Sequence, residues 1–352
     1  MVLEILKWAG AFLALGFMIV VHEGGHYVVA RWCQMRIERF SIGFGPGILK
    51  RKSKTTGTTF QLAPIPFGGF VEIRGMNIAE EVDPEDLHAY PNRPAWQRFV
   101  TIFAGPGTNY LSAIVIAMAL YTCHGMDNIH RGAVGSTMEG FDAHGKLLRG
   151  DVIQAVDHQP QYLDEGPSLP ERIKASKGAP ITITVVRDGQ PRDITLTPKP
   201  DKDKDGKDTW RIGVVQEPEV VKVGVGTAIG AALRYPVDET RRMGAMLHGI
   251  IFGNEKADVG GPIRMLDEIH RAISVDVVYA IKFVMTLSVW LGLFNLFPIP
   301  ALDGGRLVFL AYELITRRRA NPKIEAMVHM AGIMALGILM IFVLVVDVRR
   351  FF

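Results

Sequence analysis

The chain has 352 residues, a formal net charge of +3 and no region where basic residues interleave with aromatics, so nucleic acid is not an expected partner. Its mean hydropathy of +0.19 is high for a chain of this charge content and points away from an ordinary soluble globule. The apolar residues gather in four runs near spanning length: Trp8–Ala30, Phe99–Cys123, Phe283–Leu302 and Ala326–Val346.

The first run is 23 residues long, or roughly 34 Å of helix. It is too long, and too poor in a small-residue cleavage site, for a removed signal peptide. Inside it lies Val21-His22-Glu23-Gly24-Gly25-His26. On a helix His22 and His26 are one turn apart and share a face, a spacing that suits two imidazole ligands of one zinc ion. Glu23 beside them can act as general base on water activated by that zinc. Ionisable groups inside a spanning helix are costly and mark a functional site. The glycine pair costs the helix about 1 kcal/mol each, and close approach of another helix would account for it.

The loop after this span carries Arg31, Arg36, Arg39, Lys50, Arg51, Lys52 and Lys54, and the loop between the third and fourth spans carries Arg306, Arg317, Arg318, Arg319 and Lys323. By the positive-inside rule both loops are cytoplasmic, which leaves the chain ends and the long middle segment outside; Arg349 and Arg350 pull weakly the other way. Cys33 and Cys123 then fall on opposite sides and form no disulfide. Thr55–Leu62 and Pro64–Val71 suggest a small sheet with hairpins, whose apolar tips either dip towards the membrane or pack on the sheet itself. Residues 76–94, acidic and proline-bearing, read as a mobile loop. The second span contains Gly105-Pro106-Gly107-Thr108-Asn109, where Asn109 is expected to serve mainly as helix–helix glue.

Residues 128–200 alternate in the manner of strands, with one helix near 168–177, and suggest a peptide-binding module of the strand-addition type. Asp201–Asp208 reads as a solvated loop. Val225–Leu233 and Met243–Phe252, split by the charged Asp238–Arg242, read as two short helices lying on the membrane surface. Gly260-Gly261-Pro262-Ile263 is a sharp turn before a helix. The third span ends in Asn295-Leu296-Phe297-Pro298-Ile299-Pro300-Ala301-Leu302-Asp303-Gly304-Gly305. Its two prolines unwind the helix end and place Asp303 on the cytoplasmic side. His22 lies about 12 Å from the cytoplasmic end of its own helix, so His22, His26 and Asp303 can meet at similar depth. Two histidines and one carboxylate with an open position form a catalytic zinc set.

These readings give a polytopic α-helical membrane protein of about four spans. It has a cytoplasmic-side, membrane-associated β-hairpin or sheet and an inserted β-rich extracytoplasmic domain. The expected parts are a first span (1–30), a cytoplasmic loop (31–97), a second span (98–123), the β-rich domain (124–200), a linker with interfacial helices (201–276), a third span (277–305), and a loop with the last span (306–352). The scarcity of other intramembrane charges argues against an ion-transport component. A scaffold with a structural metal would need a fourth protein ligand and no base at Glu23.

Taken together, the His22–His26 motif, the Gly105–Asn109 motif and the Asn295–Gly305 motif, in this order, resemble the site-2 protease family, and within it the bacterial regulator-of-sigma-E protease branch. The resemblance covers nearly the whole chain. It implies zinc held by His22, His26 and Asp303, with Glu23 as base, and Asn295 positioning substrate. It implies a membrane-re-entrant hairpin around Phe67, Gly68, Gly69 and Phe70 that pairs with substrate as an added strand. It also implies a PDZ-like outer domain, a place in the bacterial inner membrane, and single-span membrane proteins as substrates, such as anti-sigma factors or signal-peptide remnants already cut once outside. The best-known proteobacterial relatives carry two tandem PDZ domains, and residues 124–222 have room for one.

Overall fold

In lipid a backbone must satisfy its own polar groups, so uncharged sequence of this length folds as helix. The computed structural model describes residues 2–77, 80–202, 206–253 and 260–351. The chain opens with α1 (Val2–Trp32), followed by β1 (Ile37–Phe44), β2 (Leu49–Lys52), β3 (Thr59–Leu62) and β4 (Ile65–Ile73), and then by α2 (Ala95–Cys123). A β-rich segment follows: β5 (Met126–Thr137), β6 (Val152–Val156), β7 (Gln159–Pro160), α3 (Leu169–Ala175), β8 (Ile181–Arg187), β9 (Gln190–Leu196), β10 (Lys199–Lys202), β11 (Asp208–Arg211) and β12 (Val214–Val221). The chain closes with α4 (Val225–Phe252), α5 (Pro262–Val275), α6 (Val277–Leu296), α7 (Asp303–Thr316) and α8 (Pro322–Phe351).

Among the described residues four helices are long and apolar enough to cross a membrane: α1, α2, α6 and the Lys323–Arg349 part of α8. Protein covers little of their apolar surface; in α8 only 6% of the most apolar window is buried. Such a surface suits lipid. The protein is a polytopic membrane protein with an inserted β-rich unit. Both cysteines are free thiols.

Two compact units divide the chain. The first comprises residues 1–119 and 230–352. In it, Ala11, Leu15, Met18 and Ile19 of α1 pack against Leu266 and Ile269 of the amphipathic α5. Past the motif, Ala30, Cys33 and Met35 pack against Ile37 and Ile73, so the sheet grows directly out of the end of α1. Its strand order is β2-β3-β1-β4, with β1 parallel to β3 and antiparallel to β4, and β2 antiparallel to β3.

β4 is therefore an edge strand. Ile42 pairs with Gly69 and Phe44 with Ile65, which leaves Pro66, Phe67 and Gly68 opposite Gly43 alone. That is a bulge, a place where a strand tolerates proline and re-aims its side chains. The expected hairpin at Phe67–Phe70 is replaced by this bulged edge strand; the reversal occurs earlier, between Leu62 and Ile65.

Two more expectations change. The loop read as mobile is pinned: Arg74 Nε donates to Asp86 at 3.0 Å and its Nη1 to Glu38 at 3.2 Å, while Asn92 donates to the carbonyls of Asp83 and Asp86. Of that loop, residues 78 and 79 lie outside the described residues. The two short helices expected over 225–252 are one helix, α4. Its buried positions Ala232, Tyr235, Glu239 and Met243 recur at helical spacing straight through the charged stretch, with Asp238, Arg241 and Arg242 exposed. Glu239 is on the buried side because the Trp290 indole N–H donates to it at 3.0 Å.

The second unit, Leu120–Ile229, is a sheet of order β12-β5-β6-β8-β9 with antiparallel neighbours, and β7 pairs with β6. Val134, Ile153, Ile181, Ile183, Val185 and Leu196 form its core with Leu169 and Ile173 of α3. The stretch after residue 200, read as linker, continues this unit: β10 and β11 form an antiparallel ribbon, and β12 pairs with β5 along most of its length. The loop read at 201–208 lies partly outside the described residues, at 203–205.

Candidate metal centre

The helical turn from His22 to His26 brings the two Nε2 atoms to 3.4 Å from each other. The third group arrives from the far end of the sequence. α6 stops at Leu296, Pro298 and Pro300 keep the next residues out of helix, and Ala301 adopts φ +83°. α7 then starts at Asp303, whose Oδ2 lies 3.2 Å from His22 Nε2 and 3.3 Å from His26 Nε2. Gly304 and Gly305 allow α7 to fold back over its own approach: a methyl on Gly304 would strike the carbonyls of Leu296 and Phe297, and one on Gly305 the carbonyl of Ile299.

α2 braces the histidines. Gly105 faces the His26 ring so closely that a methyl there would collide with Nε2. His26 Nδ1 donates to the Thr101 carbonyl at 2.9 Å, which leaves the Nε2 lone pair directed at the cluster. One side-chain amide, that of Asn109, lies 3.0 Å from His22 Nδ1. Thr101, Gly105 and Asn109 are four residues apart on one helix face and run antiparallel to the 22–26 turn. Gly25 makes the approach possible, since a methyl on it would meet the Ala104 carbonyl and the Thr108 hydroxyl.

These ligand atoms of His22, His26 and Asp303 form the one such group found among the described residues. Asp303 Oδ2 is buried and makes no hydrogen bond. A buried carboxylate oxygen without a donor is costly, and a cation held with two imidazoles removes that cost. Zinc fits this donor set.

Glu23 turns towards β4. Its side chain passes beside Gly69, where a methyl would lie 3.1 Å from its Cγ. A cleft of about 910 Å³ opens here, walled by Gly69–Ile73 of β4 on one side and by Asn295, Asp303, Arg306 and His329 on the other, with His22, Glu23 and His26 beneath. Of the four predicted strand residues, Gly69 and Phe70 line the cleft. Phe67 packs into the α1–α5 core and Gly68 sits under the Phe44 ring. Asn295 lines the cleft too, with its amide donating to the Leu291 carbonyl of its own helix at 2.9 Å.

Three neighbours of the site were not read as site residues in the sequence. Thr101 contributes only a backbone carbonyl, so no side-chain signal exists. His329 accepts from the Ala301 N–H at 3.2 Å and has Arg306 Nη2 3.2 Å from its other nitrogen. Arg306 follows Asp303 by three residues, and that helical spacing was a usable sign.

The sequence matches the profile of Peptidase family M50 over residues 10–339. It is 30% identical to a protein of Rickettsia conorii across 99% of both chains. It is 30% identical to one of Mesorhizobium japonicum across 91% of this chain and 92% of that one, and 28% identical to one of Fusobacterium nucleatum across 97% and 98%. Each of the three carries the name "putative zinc metalloprotease".

Proposed function

Since this chain belongs to peptidase family M50, the site-2 proteases, and is a multi-pass zinc metallopeptidase, we propose that it cleaves single-span membrane proteins within the bilayer, using His22, His26 and Asp303 to hold the zinc. The observation that carries the reading is the buried Asp303 Oδ2, which has no hydrogen-bond donor and lies 3.2 and 3.3 Å from two imidazole nitrogens, opposite an edge strand.

A transmembrane substrate hides its peptide bonds in its own helix, and unwinding it in lipid leaves those groups unpaired. β4 offers the remedy. Its free edge, Gly69–Ile73, supplies backbone partners to an extended chain laid along the cleft. Held by His22, His26 and Asp303, a zinc ion would supply Lewis acidity towards a carbonyl and towards water. Glu23 would take a proton from the attacking water as the water oxygen bonds to the carbonyl carbon, and would pass it to the departing amine as the C–N bond breaks. Glu23 lies beside Gly69 of the strand on which the substrate lies. Asn295, at the rim of the cleft, positions the substrate backbone.

In this reading the basic loops face the cytoplasm of a bacterial inner membrane, the β-rich unit is a PDZ-like domain outside, and the substrates, such as anti-sigma factors or signal-peptide remnants, arrive after a first cut. Glu23→Gln is the test. We expect that variant to fold and keep its zinc yet lose cleavage of a single-span substrate in detergent by about 10²-fold or more. Wild-type cleavage by Glu23→Gln would overturn the reading.

A further inference from the structure

Asn109 is completely buried. Its backbone carbonyl is held from two sides, by the Ser112 hydroxyl at 2.8 Å and the Ser288 hydroxyl of α6 at 3.1 Å, which fixes where the side chain can reach. The side chain meets His22 Nδ1 at 3.0 Å. The two orientations of an amide have the same shape and differ in chemistry. With Nδ2 towards the ring, Oδ1 is buried without a partner. Nδ1 of His22 must then accept, so Nε2 carries the hydrogen and has no lone pair for a cation. Turning the amide repairs the second fault: Oδ1 accepts the Nδ1–H, and the Nε2 lone pair faces Asp303 and His26, with Nδ2 taking the place Oδ1 held.

We propose that Asn109 is a positioning residue whose side-chain carbonyl accepts the Nδ1–H of His22 and thereby turns that ring's Nε2 lone pair onto the metal. Asn109 is to His22 what the Thr101 carbonyl is to His26. A partner behind a ligating histidine fixes its tautomer and raises its basicity. α2, which supplies no ligand, therefore sets the donor state of both histidines. The proposal rests on the reading of His22 as a zinc ligand.

The test is zinc affinity, measured by chelator competition on the detergent-purified full chain, for wild type, Asn109→Leu and Asn109→Asp. Leu keeps the bulk and removes the acceptor; Asp keeps an acceptor and removes the amide donor. We expect Asn109→Leu to bind zinc about 10- to 100-fold more weakly and Asn109→Asp to stay close to wild type. Equal weakening in both variants would overturn the proposal, because amide-donor glue would be lost in each. Should either variant fail to fold, ¹⁵N-histidine spectra of the metal-free wild type decide. The His22 resonance, identified by its loss in His22→Ala, is expected in the Nδ1–H tautomer, and the Nε2–H tautomer would overturn it. Zinc binding unchanged by His22→Ala would instead remove the ligand reading, and this inference with it.

Discussion

A methyl on Gly25 would strike the Ala104 carbonyl and the Thr108 hydroxyl, whereas one on Gly24 meets nothing within 4 Å. The two glycines look alike in the sequence and do different work. Gly25→Ala should push α2 away from α1, lowering both the melting temperature in detergent and the zinc affinity. Gly24→Ala should leave the site intact and stabilise the helix by up to about 1 kcal/mol. Equal effects of the two changes would refute the packing account. The sequence announced the His22, His26 and Glu23 pattern because helical spacing alone aligns two imidazoles. It did not distinguish Gly24 from Gly25, since which glycine faces α2 depends on the rotation of α1, and that is set by tertiary packing.

At the scale of elements, uncharged runs located the four long helices, and the Pro298–Pro300 pair marked where α6 unwinds. The strands were harder. β4 contains Pro66 and two glycines, which read as a turn, and becomes a strand because a bulge absorbs them against β1. α4 was broken in two on the strength of its charges, although Glu239 belongs to the buried face once Trp290 offers it a hydrogen bond. In the β-rich unit the anchor of the Leu148–Asp151 turn was not legible. Asp151 accepts from the Leu148 N–H at 2.8 Å and takes both a 2.7 Å and a 2.6 Å bond from Arg187 on β8. Burial pushes the Asp151 carboxyl up, yet the Arg187 guanidinium and the Leu148 N–H outweigh it and hold the group below the usual carboxylate range. A carboxyl lowered on folding adds stability above its unfolded pKa of about 3.9. That contribution disappears as pH falls through the folded value. Asp151→Asn should therefore destabilise this unit at neutral pH by about 1.5–3 kcal/mol and flatten its loss of stability below about pH 4. Hydrogen exchange on the full chain reads both; a variant with the wild-type pH profile would count against this anchor.

Across the whole molecule the proposed centre joins α1 to α7, two elements at opposite ends of the sequence, with the sheet and α2 filling the space around them. The joining was foreseeable only as a matching of depths, because nothing local in either motif refers to the other. A metal bound only by the folded state stabilises it by mass action, about 4 kcal/mol at a thousand times Kd. Stripping zinc with a chelator should lower the melting temperature of the detergent-purified wild type and leave that of Asp303→Ala unchanged by the same treatment. An identical response in the two proteins would mean that the stabilising metal sits elsewhere.

The most direct measurement is the zinc content of detergent-purified wild type beside His22→Ala and Asp303→Ala. The account predicts about one zinc per chain in wild type, as expected for a catalytic site with three protein ligands, and loss of that zinc in both variants. Zinc retained in full by Asp303→Ala would contradict it, for the two motifs would then not share a metal.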